Sequence, residues 1–178
     1  MELDELINRV AAHLENEDVA YFVFGGVALG VWADARVTAD LDLVVMLDRG
    51  ALSDFVSGLN REGFRIGRSL SRKLMEGRII QAPIGRTRLD IKLASDVHDL
   101  SALGRAISVP WGTRLLRVAT PEDLVLYKLK SWRRIDQADV ERILAEVEDL
   151  DEEYIDSMLD LIEDVTGAPM RDRWGSIR

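Results

Sequence analysis

Asp40 and Asp42 stand two residues apart in the segment ADLDLVVML. Alternation decides where they point. A strand sends successive side chains to opposite faces, so Asp40, Asp42, Val44 and Met46 share one face and Leu41, Leu43, Val45 and Leu47 the other. Two carboxylates are thereby presented side by side. Mg²⁺ takes oxygen ligands, commonly one or two carboxylates together with substrate phosphates. Upstream, the apolar run Tyr21 to Phe24 is long enough for a short buried strand, and Gly25, Gly26 and a helical stretch over Val27 to Ala33 follow it. A glycine pair before a helix lets the backbone approach a phosphate and aims free N–H groups at it. The types and spacing fit a metal half and a phosphate half of one nucleotide site.

Further along, 78–84 and 87–93 read as a hairpin around Gly85-Arg86. Its second arm puts Thr87, Leu89, Ile91 and Leu93 on one face and Arg88, Asp90 and Lys92 on the other. Asp96 and Asp99 read as cap and first-turn residues of the next helix. Thr120-Pro121-Glu122-Asp123 is a strong helix start, with a capping threonine and proline at the first helical position. In the helix that follows, Lys128 is centred on an apolar arc of Leu124, Val125 and Trp132, whereas Lys130 reads as a solvent-facing lysine. A lysine on an apolar arc must meet an anion or reach past the arc to water. In the next helix Asp136 and Asp139 continue the buried stripe of Val140, Ile143, Leu144 and Val147. A buried Lys128–Asp139 pair answers both oddities, and capping is the competing role for Asp136.

Gly25-Gly26, thirteen residues, then Asp40-Leu41-Asp42-Leu43 resembles the signature of the DNA polymerase β nucleotidyltransferase superfamily. The chain is similar to its small bacterial members, the antibiotic nucleotidyltransferases (lincosamide-type enzymes among them) and the abortive-infection toxins of type IV toxin–antitoxin systems. PEDLVLYKLKSWRRIDQAD looks like the C-terminal motifs of those toxins. The likeness spans about Phe22 to Leu144. Many relatives carry Gly-Ser where this chain has Gly26, which removes one hydroxyl contact to phosphate. The resemblance implies an α+β nucleotidyltransferase fold: a small mixed sheet flanked by helices, with a helical C-terminal part closing over the nucleotide. It implies transfer of a nucleoside monophosphate from NTP to an acceptor hydroxyl. Asp40, Asp42 and Asp90 would hold two Mg²⁺ ions, Asp90 occupying the third-carboxylate position. Gly25, Gly26, Arg36, Lys128, Asp136 and Asp139 would serve the nucleotide. The acceptor stays open between tRNA or protein, with an antitoxin as partner, and a small molecule such as an antibiotic. A non-catalytic nucleotide-binding module is the reading from another class.

The elements that must position these residues are also legible. Leu3, Leu6, Ile7, Val10 and Leu14 form one stripe of an amphipathic helix over 2–15, with His13 near its end. A helix from about 51 to 60, a short strand at 64–66, and strands at 107–109 and 115–118 are expected. Residues 69–75 fit a loop or a helical turn, and Arg68, Arg72 and Lys73 there could hold phosphates. A last amphipathic helix over 151–165 has a strongly acidic outer face, and Gly167-Ala168-Pro169 stops it. The expected organisation is a catalytic core over 1–118, a helical part over 119–166 and a tail over 167–178.

The 178 residues are 47% hydrophobic and 31% charged, as in a soluble globular domain. With no cysteine, thiolate nucleophiles, thiolate metal ligands and disulfides are excluded. No signal peptide or membrane span is read, and a cytoplasmic location is expected. A net charge of −9 argues against general DNA binding. The charge is segregated: residues 61–92 carry nine basic and three acidic side chains, residues 136–164 one basic and thirteen acidic. The basic middle suits a triphosphate or an RNA acceptor.

Overall fold

In the computed structural model, residues 1–34 and 37–178 are described. Among them a six-stranded mixed sheet runs in the order β3-β4-β2-β1-β6-β5. The strands are β1 (Ala20–Phe24), β2 (Asp40–Met46), β3 (Ile80–Ile84), β4 (Thr87–Leu93), β5 (Ile107–Trp111) and β6 (Arg114–Val118). β2 lies near the centre, antiparallel to β1 and parallel to β4. Its apolar positions Leu41, Leu43 and Val45 are buried, so the alternation read from the sequence sets the strand's orientation. The β3–β4 hairpin turns at Gly85, whose φ of +63° suits a residue without a side chain.

Helix α1 (Leu3–Asn16) lays Leu6, Ile7, Val10, Ala11 and Leu14 against β2 and β4. His13, near the end of α1, is buried against Phe55 and Gly58 of α3 (Leu52–Arg61), with ring centroids of His13 and Phe55 5.7 Å apart. The missing side chain at Gly58 provides the room. Residues 64–66 form no strand. Phe64 and Ile66 are instead buried from an irregular segment whose Ile66 backbone pairs with the Asn60 side chain. Residues 68–75 form helix α4 (Arg68–Met75), which rests on β3 and β4 through Leu74.

After β4 the Asp96–Asp99 capping box starts α5 (Val97–Arg105). After β6, Thr120 accepts the Asp123 N–H and starts α6 (Pro121–Ser131), as the motif predicts. Asp123 then turns inward, accepting from Thr120, Tyr154 and Arg105 and lying 3.3 Å from His98. Burial lowers the His98 pKa, against the pull of Asp123. This knot ties α5 and α6 to α8 (Glu152–Thr166), with α7 (Arg134–Glu146) between α6 and α8 in sequence. The final residues fold as α9 (Met170–Ile177). Trp174 is 1% exposed and donates to Asp156 on α8, and Arg173 donates to the last carbonyls of α6, at Leu129 and Lys130. Among the described residues no helix is long and apolar enough to cross a membrane.

Candidate active site

The strand register builds the site. On β2 and β4 the Cα partners are Asp40 with Arg88 and Asp42 with Asp90. Neighbours in register share a face, so Asp40, Asp42 and Asp90 gather on one side of the sheet. They line a cleft of about 1030 Å³. Its other walls are Gly25, Gly26 and Thr38, the α4 residues Leu70 and Lys73, and Lys128, Ser131, Arg133 and Asp136 from α6 and α7. The sequence therefore names residues that the fold does bring together.

The glycine turn begins helix α2 (Gly25–Trp32) at Gly25 itself, with Phe24 as N-cap. Gly25 has φ +68°, and a Cβ there would lie 2.0 Å from Asp42 Oδ2. Glycine is thus required twice, by the backbone and by the carboxylate packed against it. A Cβ on Gly26 would come 2.9 Å from Thr38 Oγ1. Arg36, expected to meet phosphate, lies outside the described residues.

Burial, then repulsion from Asp90, raises the Asp42 pKa to about 6, and Lys128 and Arg88 only partly offset this. Among the described residues the Asp42 carboxylate accepts no hydrogen bond. Asp40 and Asp90 are held instead by Arg88, whose guanidinium reaches Asp40 Oδ2 at 2.5 Å and Asp90 Oδ1 at 2.7 Å. Gln81 donates to the second Asp90 oxygen at 3.1 Å. With Arg88 between them, no group of three acidic or histidine side chains among the described residues is arranged to hold a metal as it stands. The donor chemistry nevertheless fits a hard divalent cation. Three carboxylates face one cleft, and one of them, Asp42, has no side-chain partner among the described residues.

Across the cleft, Lys128 Nζ lies 2.7 Å from Asp139 Oδ2 and 3.4 Å from Asp136 Oδ1, the pair inferred from the two misplaced residues. Asp139 also meets Arg142. Burial works against the Asp136 anion, but hydrogen bonds from Arg133, Ser131 and the Arg133 backbone, with Lys128 nearby, bring its pKa down to about 2. Lys130 differs from its sequence reading. It is only 16% exposed, binds Asp96 at 3.2 Å and lies over the Tyr127 ring, and burial lowers its pKa. The tertiary approach of α5 to α6 supplies this partner. Lys92 on β4 completes the group, binding Asp99 at 2.6 Å. Burial opposes ionisation of Asp96, but the Asp99 backbone, Lys130 and Lys92 outweigh it and hold the pKa at about 2. The sequence reading missed Arg88, Gln81, Thr38, Ser131 and Arg133 as lining residues. Only Arg88 carried a usable signal, its place beside Asp90 on the polar face of β4.

Residues 1–174 match a family model described as Nucleotidyltransferase of unknown function (DUF6036), and the chain belongs to that family. No curated protein sequence matches it. Among solved structures the chain is similar to an antigenic nucleotidyltransferase-like protein from Paracoccidioides brasiliensis. The identity is 16% and the TM-score 0.55, with 94% of this chain and 92% of that one covered. It is also similar to the antibiotic-resistance factor ANT(2'')-Ia, at 15% identity and TM-score 0.52, over 97% of this chain and 89% of that one. These likenesses establish the nucleotidyltransferase fold expected from the glycine pair and the Asp-x-Asp strand.

Proposed function

We propose that the protein transfers a nucleoside monophosphate from an NTP to an acceptor hydroxyl and releases pyrophosphate, with Mg²⁺ as cofactor. The observation that carries this reading is the register of β2 and β4, which gathers Asp40, Asp42 and Asp90 on one cleft face opposite Lys128. Asp40, Asp42 and Asp90 would hold the metal, which supplies Lewis-acid stabilisation of charge on the phosphoryl group and a lowered pKa for the attacking hydroxyl. Asp90 accepts the proton of that hydroxyl. Gly25 and Gly26, opening α2, bring backbone N–H groups and the positive helix end to the phosphates. Lys128, held by Asp139 and Asp136, presents fixed positive charge to the triphosphate from the opposite wall.

The acceptor we favour is an RNA. Arg88, Lys92, Lys128, Lys130 and Arg133 in the cleft are each paired with an acid, so the basic character that meets an acceptor lies at Lys73 on α4. On α4, Arg68 and Arg72 carry basic character outward beside Lys73. A polycationic antibiotic would meet repulsion there and a phosphodiester chain attraction. The test incubates the protein with each α-labelled NTP, Mg²⁺ and total RNA or cell lysate, with Asp42→Asn alongside. Label moving to an RNA band with wild type alone is the expected result. Wild-type turnover in Asp42→Asn overturns the site. Label on a protein or a small molecule replaces the acceptor, and absence of metal-dependent NTP binding leaves a non-catalytic module. Growth arrest on expression would assign the activity to a toxin and not to a drug modifier.

A further inference from the structure

We infer that Arg88 is a positioning residue for the metal site: its guanidinium holds Asp40 and Asp90 in the free enzyme and yields them to the divalent cation, turning into the cleft toward the triphosphate. This rests on the reading of Asp40, Asp42 and Asp90 as the cation site.

Three observations lead there. First, Arg88 uses two different nitrogens on two different strands, Nη2 to Asp40 on β2 and Nε to Asp90 on β4. A guanidinium so placed neutralises carboxylates that a metal would otherwise bridge, and the two cations compete for the same oxygens. Second, Asp42 is left out of the clamp and has no side-chain partner among the described residues. It is therefore a free anionic arm on which an incoming ion can land before Arg88 lets go. Third, Arg88 has somewhere to move. Its side chain is 37% exposed, against 8% for Asp90, and it lines the open cleft. A fully enclosed arginine would be a permanent strut, whereas this one faces the space where a triphosphate would lie. Once released, its planar donor fork suits phosphate oxygens.

The competition makes opposite predictions for metal alone and for metal with nucleotide. The full chain is titrated with Mn²⁺ by calorimetry and electron paramagnetic resonance, as wild type, Arg88→Gln, Arg88→Lys and, as control, Arg78→Gln. Arg78 is exposed and, among the described residues, pairs only with Glu76. Arg88→Gln should bind Mn²⁺ alone on the order of tenfold tighter than wild type, since one charged clamp no longer has to be displaced. In the presence of a non-hydrolysable NTP analogue the same variant should bind nucleotide more weakly, on the order of tenfold. Arg88→Lys keeps the charge but cannot span both carboxylates, and should tighten Mn²⁺ by about threefold. Equal or weaker Mn²⁺ binding by folded Arg88→Gln or Arg88→Lys would overturn the inference and leave the metal site standing. A wild type that takes no Mn²⁺ even with the analogue would remove both.

Discussion

Asp42 is the residue at which the site's electrostatics can be read from outside. Its pKa is raised by burial and Asp90 to about 6, from an ordinary 3.8. The folded chain therefore binds this proton more tightly than the unfolded chain does. Stability from this group falls as pH rises between the two values, and the penalty is fully present above the upper one. Asp42→Asn should consequently raise unfolding free energy by about 2 kcal/mol at pH 7.5, with the gain fading toward pH 4. Urea denaturation at both pH values checks it. On the proposed function the same substitution should abolish metal-dependent transfer, which the α-labelled NTP assay checks. Transfer by the wild type should also decline as pH drops below about 6, because a proton then occupies the oxygen that a cation needs.

At the scale of elements, α6 is the part that joins core to cleft. It buries Leu124, Val125 and Leu129, presents Lys128 to the site, and is held at its end by α7 and α9. Lys128→Met leaves Asp139 and Asp136 buried with less positive charge beside them. Removing one partner of a buried pair costs about 3–5 kcal/mol, here reduced because Arg142 and Arg133 remain. A loss of about 2 kcal/mol in denaturant titration is expected, together with weaker NTP binding. Trp174→Ala should cost about 3–5 kcal/mol, since the indole is enclosed and hydrogen-bonded to Asp156. In that variant nucleotide binding should weaken too, as Arg173 no longer holds the α6 carbonyls.

Across the whole molecule, what was legible in the sequence followed from residues out of place. Lys128 and Asp139 each interrupted an apolar stripe, so their meeting could be inferred without a structure. The Asp-x-Asp strand and the Thr120-Pro121 cap were legible because alternation and capping are local. Helix α4 was not, since Gly67 offers no capping side chain and only Leu74 of its residues is buried. Helix α9 is eight residues long, too short for periodicity to declare it, and Trp174 is buried only because α8 receives it. Lys130 and Lys92 gained their acids through the packing of α5 on the sheet and α6, which no local pattern encodes. The segregation of charge makes one prediction at this scale. If RNA is the acceptor, transfer should fall steeply, by about tenfold or more, between 50 and 200 mM salt, whereas NTP binding should change far less.

The contact between Gly26 and Thr38 reaches beyond this chain. A Cβ on Gly26 would lie 2.9 Å from the Thr38 hydroxyl, so the two positions share one volume. A serine at the second glycine position fits only where position 38 is small. Sequences of this family should therefore divide into two exchange classes, one with glycine then threonine and one with serine then glycine or alanine. In this protein Gly26→Ser should destabilise alone and recover with Thr38→Ala. A hydroxyl beside the glycine turn would then be a fixed quantity during divergence, handed between two places in the chain and rarely held at both.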